Sequence, residues 1–132
     1  MLLVATYVGR SPIHGLGLFA AERIQRGTKM WAFQPGLDAF VSDALYATLP
    51  AFQKSYLEHY GFRSPTWPGG VVIGFDNSRY INHSAEPNTD NETEFAFAAR
   101  DIEKDEEITC DYEVIHPVGT WSATVDHSPR LG

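Results

Sequence analysis

Asn82 and His83 stand side by side, an amide and an imidazole offering hydrogen-bond donors and acceptors at adjacent positions. Such a pair suits a polar small molecule that carries both an amino group and a heterocycle. They lie inside Arg79–Asn88, R-Y-I-N-H-S-A-E-P-N, where Ser84, Pro87 and Asn88 follow within a few positions. Asn and Ser side chains bond nearby backbone and Pro fixes φ, so the block reads as a tight, defined turn. A purely structural turn at the end of a strand is the plain alternative, and the block alone does not decide between them. A second candidate is His14-Gly15-Leu16-Gly17, whose glycines let backbone approach a ligand closely. No helical pattern follows it, so it is not the dinucleotide fingerprint. His14 reads equally well as a surface histidine beside a turn. Hydrolysis using His83 with Asp76 or Asp111 would need an activated Ser or Cys, and none sits in a nucleophile-elbow pattern. The single cysteine, Cys110, excludes an internal disulfide and a multi-cysteine zinc site.

The elements that must position these residues are short and mostly extended. Strands are expected at Leu2–Tyr7, Gly17–Ala20, Lys29–Gln34, Val71–Phe75, Phe95–Ala99 and Glu107–Cys110. Trp31 and Phe33 fall on one face of the third. Ser42 is a helix N-cap, Pro50 a first-turn residue of a second short helix, and Gly61 its C-cap. Leu45, Leu49, Phe52, Tyr56 and Tyr60 form a helical stripe that reads as core packing, with substrate contact the alternative. Arg63–Gly70 reads as a Pro/Gly loop, Asp90–Glu94 as a hairpin loop and Arg100–Glu106 as a solvated turn. Short strands with frequent Gly/Pro punctuation and one helical insert give a mainly β fold.

At 132 residues the chain reads as one domain, with 43% hydrophobic content that is ordinary for a globular protein. The formal charge of −7 argues against a direct nucleic-acid binder and is compatible with basic partners. Solubility alone also explains it. No apolar run reaches membrane-spanning length, and Met1–Tyr7 is too short and uncharged for a secretory signal, so a cytoplasmic protein is expected.

Three blocks occur in order: His14-Gly15-Leu16-Gly17-Leu18-Phe19-Ala20, then Asn82-His83-Ser84 with Pro87-Asn88, then Glu106-Glu107-Ile108-Thr109-Cys110-Asp111-Tyr112. Together they resemble the SET-domain protein lysine methyltransferases, and most nearly the short, free-standing SET proteins of bacteria and viruses. The family pattern is G-x-G before a small apolar strand, N-H-S-x-x-P-N, and E-E-hydrophobic-T-x-D-Y. The resemblance runs from about Tyr7 to Tyr112.

It implies a β-clip fold of small sheets, a short helical insert and a C-terminal segment threaded through an earlier loop. That threading would be an exception to the rule against knots, and would bring Asn82 and His83 next to Tyr112. One domain spans residues 1–132, with a core at about 7–112 and a lid or tail at 113–132. The implied activity is methyl transfer from S-adenosylmethionine to the side-chain amine of a lysine in a basic protein or peptide. No metal, nucleic acid or membrane is involved, and pairing with a second copy as a homodimer could complete the channel.

Tyr112 is the implied catalytic residue and also touches the cofactor. His14, Gly15, Leu16 and Gly17 are implied to lie along the cofactor's methionine portion, the Asn82-His83 backbone to hold the adenine and the Asn82 side chain to reach the methionine end. His83 is alternatively a purely structural pin of the crossing. Trp121 or a residue of a partner subunit is implied to cover the adenine. Glu107 helps hold the threaded crossing. Cys110 and Tyr80 are assigned to the substrate channel, Tyr80 as a packing residue where the family carries Phe. Cys110 stands where the family places a Phe or Tyr that limits the number of methyls. A catalytically silent SET-like module that binds peptide or cofactor is the alternative.

Overall fold

The computed structural model describes residues 1–112 and the backbone of His116–Pro117. Eleven short strands are described: β1 Thr6–Arg10, β2 Leu16–Ala20, β3 Lys29–Trp31, β4 Ala39–Ser42, β5 Phe62–Ser64, β6 Trp67–Ile73, β7 Asn82–His83, β8 Thr89–Asp90, β9 Ala96–Ala98, β10 Glu107–Cys110 and β11 His116–Pro117. They form three small sheets, in the orders β1-β2-β10-β7, β11-β5-β6-β4 and β3-β9-β8. The mainly β, many-sheeted SET architecture expected from the sequence is therefore what the chain adopts.

β10 is the strand on which the rest converges. It runs antiparallel to β2, with Ile108 opposite Leu18, and parallel to β7, with Thr109 opposite Asn82 and Cys110 opposite His83. Its alternation explains the placement: Ile108 is wholly buried in a cluster with Leu18, Ala20, Ile24, Met30, Ala98 and Ile102. A second cluster, Trp31, Val72 and Ala96 with Phe33, Phe62 and Trp67, joins the other two sheets. Trp31 and Phe33 thus share a cluster as their spacing predicts, although β3 ends at Trp31.

Between β4 and β5 lie α1 (Asp43–Thr48) and α2 (Ala51–Tyr60). Ser42 caps α1, its hydroxyl accepting from the Leu45 N–H at 3.2 Å. Pro50 is the N-cap residue of α2, one position earlier than expected. Gly61 ends α2 at φ −88°, so it is not there for a left-handed turn. A Cβ at Gly61 would stand 2.6 Å from Val71 Cγ1 and 2.8 Å from the Leu57 carbonyl oxygen. Close packing of the helix end on β6 is what requires glycine.

Three sequence expectations are corrected. The helical stripe is not core: Leu45 is 51%, Phe52 74% and Tyr56 48% exposed, and Leu57 is the buried residue of α2. Both helices are too short to lay a full stripe on the sheet, and α2 touches β6 through its Leu57–Gly61 end. Arg63–Gly70 is not a loop but most of a β5–β6 hairpin, and β4 pairs with β6 along Ala39–Ser42. Gly70 is what lets β4 in, since a Cβ there would collide with the Val41 carbonyl and the Phe40 ring. Finally, the charged turn at 100–106 hides Ile102, which is fully buried and bridged to Ile24, while Arg23 pairs outside with Asp101 and Glu103.

Candidate active site

The site is built around the end of β10 and the loop that holds it. That loop, residues 82–89, bonds β10 repeatedly. The Ser84 N–H donates to the Cys110 carbonyl at 2.9 Å. Asn88 accepts from the Thr109 N–H through Oδ1 at 2.9 Å and donates to the Glu107 carbonyl through Nδ2 at 2.7 Å. Thr89 Oγ1 donates to the Thr109 carbonyl at 2.7 Å. Just past β10, the Tyr112 N–H donates to His83 Nδ1 at 3.0 Å, and the two rings lie 5.2 Å apart. The juxtaposition of Asn82, His83 and Tyr112 implied by the resemblance is present.

Tyr112 is 2% exposed, and its hydroxyl donates to the Ile81 carbonyl at 2.8 Å. Ile81 leads into β7 from a 3-10 turn, Asn77–Tyr80, capped by Asp76. Burial works against charge on Asp76, but hydrogen bonds from the Leu2 and Ser78 N–H groups outweigh it and hold its carboxyl below the usual range. The cap therefore works in its charged form.

Asn82 is almost completely buried, and its amide faces the glycine loop. Nδ2 stands 3.0 Å from the Leu16 carbonyl, 3.3 Å from the His14 carbonyl and 3.0 Å from Glu107 Oε2. Both Glu107 oxygens also accept from Ser11 Oγ at 2.8 Å, and Ser11 in turn accepts from the Ile13 and His14 N–H groups. Glu107 thus ties β10 to the loop, in keeping with its expected bracing role. Gly17 makes this possible: a Cβ there would sit 2.5 Å from Glu107 Oε2. Gly15, at φ 49°, turns the loop, which closes through the Ser11 N–H and the Gly15 carbonyl. Among the described residues, His14 Nδ1 is buried with no hydrogen-bond partner. An orphaned acceptor or donor beside the Asn82-braced carbonyls is a place for a polar ligand group.

The hydrolase alternative finds no support in this geometry. His83 Nδ1 already accepts from the Tyr112 N–H, Asp111 Oδ1 lies 3.8 Å away, and Ser84 Oγ accepts from the Glu86 N–H.

Cys110 is buried and reaches the wall of a cavity of about 70 Å³. Its lining carries five aromatic residues, Trp31, Tyr60, Phe62, Trp67 and Phe95, and as many uncharged polar ones, Ser64, Thr66, Ser78, Asn91 and Thr93, with Ile81 and Cys110 also on the wall and Arg79 and Glu94 as the charged members. Tyr80 is not among the lining residues and stacks instead near the Arg79 guanidinium, 5.4 Å from its ring centroid. Sequence reasoning missed Ser11, Arg79, Asn88 and the five aromatic wall residues as site components. Ser11-Pro12 reads only as a turn, Trp31 and Phe95 only as strand aromatics, Trp67 as a loop aromatic, and Tyr60 as part of the helical stripe. Trp121 and the rest of the expected lid lie outside the described residues.

The comparisons agree with this architecture. The SET domain family model matches residues 15–113, and the chain belongs to that family. No curated protein sequence matches it. Among solved structures, a Plasmodium falciparum putative histone methyltransferase superposes with a TM-score of 0.59 at 20% identity, covering 84% of this chain and 95% of that one. Chaetomium thermophilum Polycomb Repressive Complex 2, autoinhibited and bound to S-adenosylmethionine, gives 0.59 at 25% identity over 83% of this chain. The same complex in an apo autoinhibited state gives 0.62 at 25% identity over the same share. This chain spans only 15% of those Polycomb chains. Among the described residues, no helix is long and apolar enough to cross a membrane.

Proposed function

We propose that this chain transfers a methyl group from S-adenosylmethionine to the side-chain amine of a lysine in a basic protein segment. The observation that carries the reading is the convergence on β10. One strand braces the glycine loop through Glu107 and presents Cys110 to an aromatic-walled pocket, and just past its end Tyr112 lies against Ile81 and His83. The His14–Gly17 loop and Asn82-His83 would hold the cofactor, which would supply a methyl on a positively charged sulfur to a neutral amine, the S–C bond breaking with its electron pair left on sulfur as the N–C bond forms. This chain's contribution is positioning. The pocket aligns an amine, its aromatic walls exclude water and suit a methylated ammonium, and the Tyr112 hydroxyl fixes the Ile81 carbonyl at its inner wall. The charge of −7 favours encounter with a basic substrate.

Calorimetric titration with S-adenosylmethionine tests the reading. Wild type should bind near one per chain, and Asn82→Ala, which frees the His14 and Leu16 carbonyls, should bind at least about tenfold more weakly. A folded wild type that binds no cofactor defeats the proposal and brings the silent module forward.

The pocket also sets product. Cys110 leaves room where a larger residue would fill the cavity, so the enzyme should carry lysine to the di- or trimethyl state. Exhaustive reaction followed by mass spectrometry should show those products, and Cys110→Tyr should shift them toward monomethyl lysine. Monomethyl product alone from wild type would refute this.

A further inference from the structure

Among the described residues, Arg23, Arg63 and Arg100 each pair with a carboxylate, whereas Arg10, Arg26 and Arg79 do not; Arg10 and Arg26 are exposed, and Arg79 is half-buried. Its Nη1 donates to the Tyr56 hydroxyl at 3.0 Å, and its guanidinium carbon lies 5.1 Å from the Tyr60 ring centroid and 5.4 Å from that of Tyr80. Among the described residues Nε is buried with no hydrogen-bond partner. A guanidinium cannot shed its proton, so the charge is fixed, and the described groups around it are ring faces rather than an anion. It lies on the wall of the aromatic pocket, two positions before Ile81, whose carbonyl holds the Tyr112 hydroxyl.

The pocket has one other charged lining residue, Glu94, which is exposed. The other titratable groups around this region are the phenols of Tyr56, Tyr60 and Tyr80, the Cys110 thiol, the exposed Lys29 ammonium 3.8 Å over the Phe95 ring, and the Asp38 and Asp76 carboxylates behind Gly74, which are already engaged by the N-terminal ammonium and by backbone N–H groups. An exposed carboxylate attracts a lysine ammonium through water. A half-buried cation among aromatic rings is less screened and repels that ammonium once it is inside. A neutral amine escapes the repulsion, so the field moves the equilibrium of the bound side chain toward loss of its proton to solvent. Free lysine titrates near about 10.4, so this assistance matters at neutral pH.

We propose that Arg79 is a positioning residue whose unpaired charge holds the target lysine in its neutral, nucleophilic form, with Glu94 serving capture. The inference rests on the aromatic pocket being the lysine channel. It names a residue that acts on the substrate through its field, without contact to the reacting atoms.

The test is the pH dependence of kcat, which reports groups titrating in the bound complex. An array of lysine-containing peptides with labelled S-adenosylmethionine selects the strongest acceptor, which is then used throughout. Arg79→Met should move the rising alkaline limb upward by about one pH unit while cofactor binding stays at the wild-type level. Arg79→Lys, which keeps the charge, should restore the limb. Glu94→Gln should raise KM and move the limb the opposite way. An unmoved limb in an Arg79→Met protein that melts as wild type does overturns the inference alone. Should that variant fail to fold, Arg79→Gln takes its place and is read by the same limb. A wild type that transfers no methyl to any peptide overturns the functional reading and this inference with it.

Discussion

Asn88→Ala should destabilise the fold by about 3 kcal/mol, the sum of two orphaned buried groups at roughly 1–3 kcal/mol each. The side chain is 1% exposed and acts as a peptide-like clamp on β10. Its Oδ1 satisfies the Thr109 N–H, and its Nδ2 satisfies the Glu107 carbonyl and reaches Glu106 Oε2 at 3.1 Å. Alanine leaves the Thr109 N–H and the Glu107 carbonyl without these partners, in a place water does not reach. Urea unfolding should show a lower midpoint with an unchanged slope. Asn88→Asp keeps the acceptor, loses the donor and sets a carboxylate beside Glu106, so it should also lose stability. A midpoint within error of wild type for Asn88→Ala would show that β10 is held by its sheet partners alone.

The clamp explains why a site assembled from distant blocks can be rigid. β10 has only four residues and pairs with β2 over two of them and with β7 over two. Strand pairing that short cannot by itself fix register. Side chains supply what the ladder lacks: Asn88 and Thr89 bond the β10 backbone, Glu107 bonds Ser11 and Asn82, and His83 bonds the backbone of Tyr112. Asn88 and Thr89 are buried and Glu107 and His83 half-buried, each with a partner, and each fixes where the next functional residue stands.

Much of this was legible in the chain, and the reasons for the remainder are physical. Glu107–Cys110 was read with its observed bounds because alternation and flanking charge mark it, and the Ser42 cap was read because its chemistry is local. The β5–β6 hairpin was not, because Pro68, Gly69 and Gly70 punctuate a loop in most chains, and here Gly70 instead admits β4. The aromatic stripe of the insert has helical spacing but no surface wide enough to cover it, and periodicity cannot see what a helix packs against. In the site, the glycine loop was noticed for ligand approach, yet Gly17 also serves Glu107, ninety residues away in sequence. The contact of His83 with Tyr112 came from the family resemblance, since parallel pairing over two residues leaves no periodic trace. Arg79 was invisible because an arginine before an aromatic reads as surface until its missing carboxylate is seen.

Tyr112→Phe should leave cofactor binding and folding near wild type and lower kcat by about 100-fold or more, the usual loss for one oriented hydroxyl at a reacting centre. The ring is buried against His83, and phenylalanine keeps that packing. The backbone N–H that holds His83 is also kept, because it does not depend on the side chain. What disappears is one hydroxyl, and with it the hydrogen bond to the Ile81 carbonyl. Ile81 and Cys110 both line the pocket in which the amine is proposed to lie, so the hydroxyl is the polar group of Tyr112 closest to the proposed chemistry. Calorimetry with S-adenosylmethionine and a labelled-methyl assay on the same preparation separate the two effects. Cofactor bound as in wild type with turnover lost places Tyr112 at the transfer step. Turnover at the wild-type rate would reduce the hydroxyl to a structural tie on Ile81, and alignment by the pocket would then have to account for the rate without it.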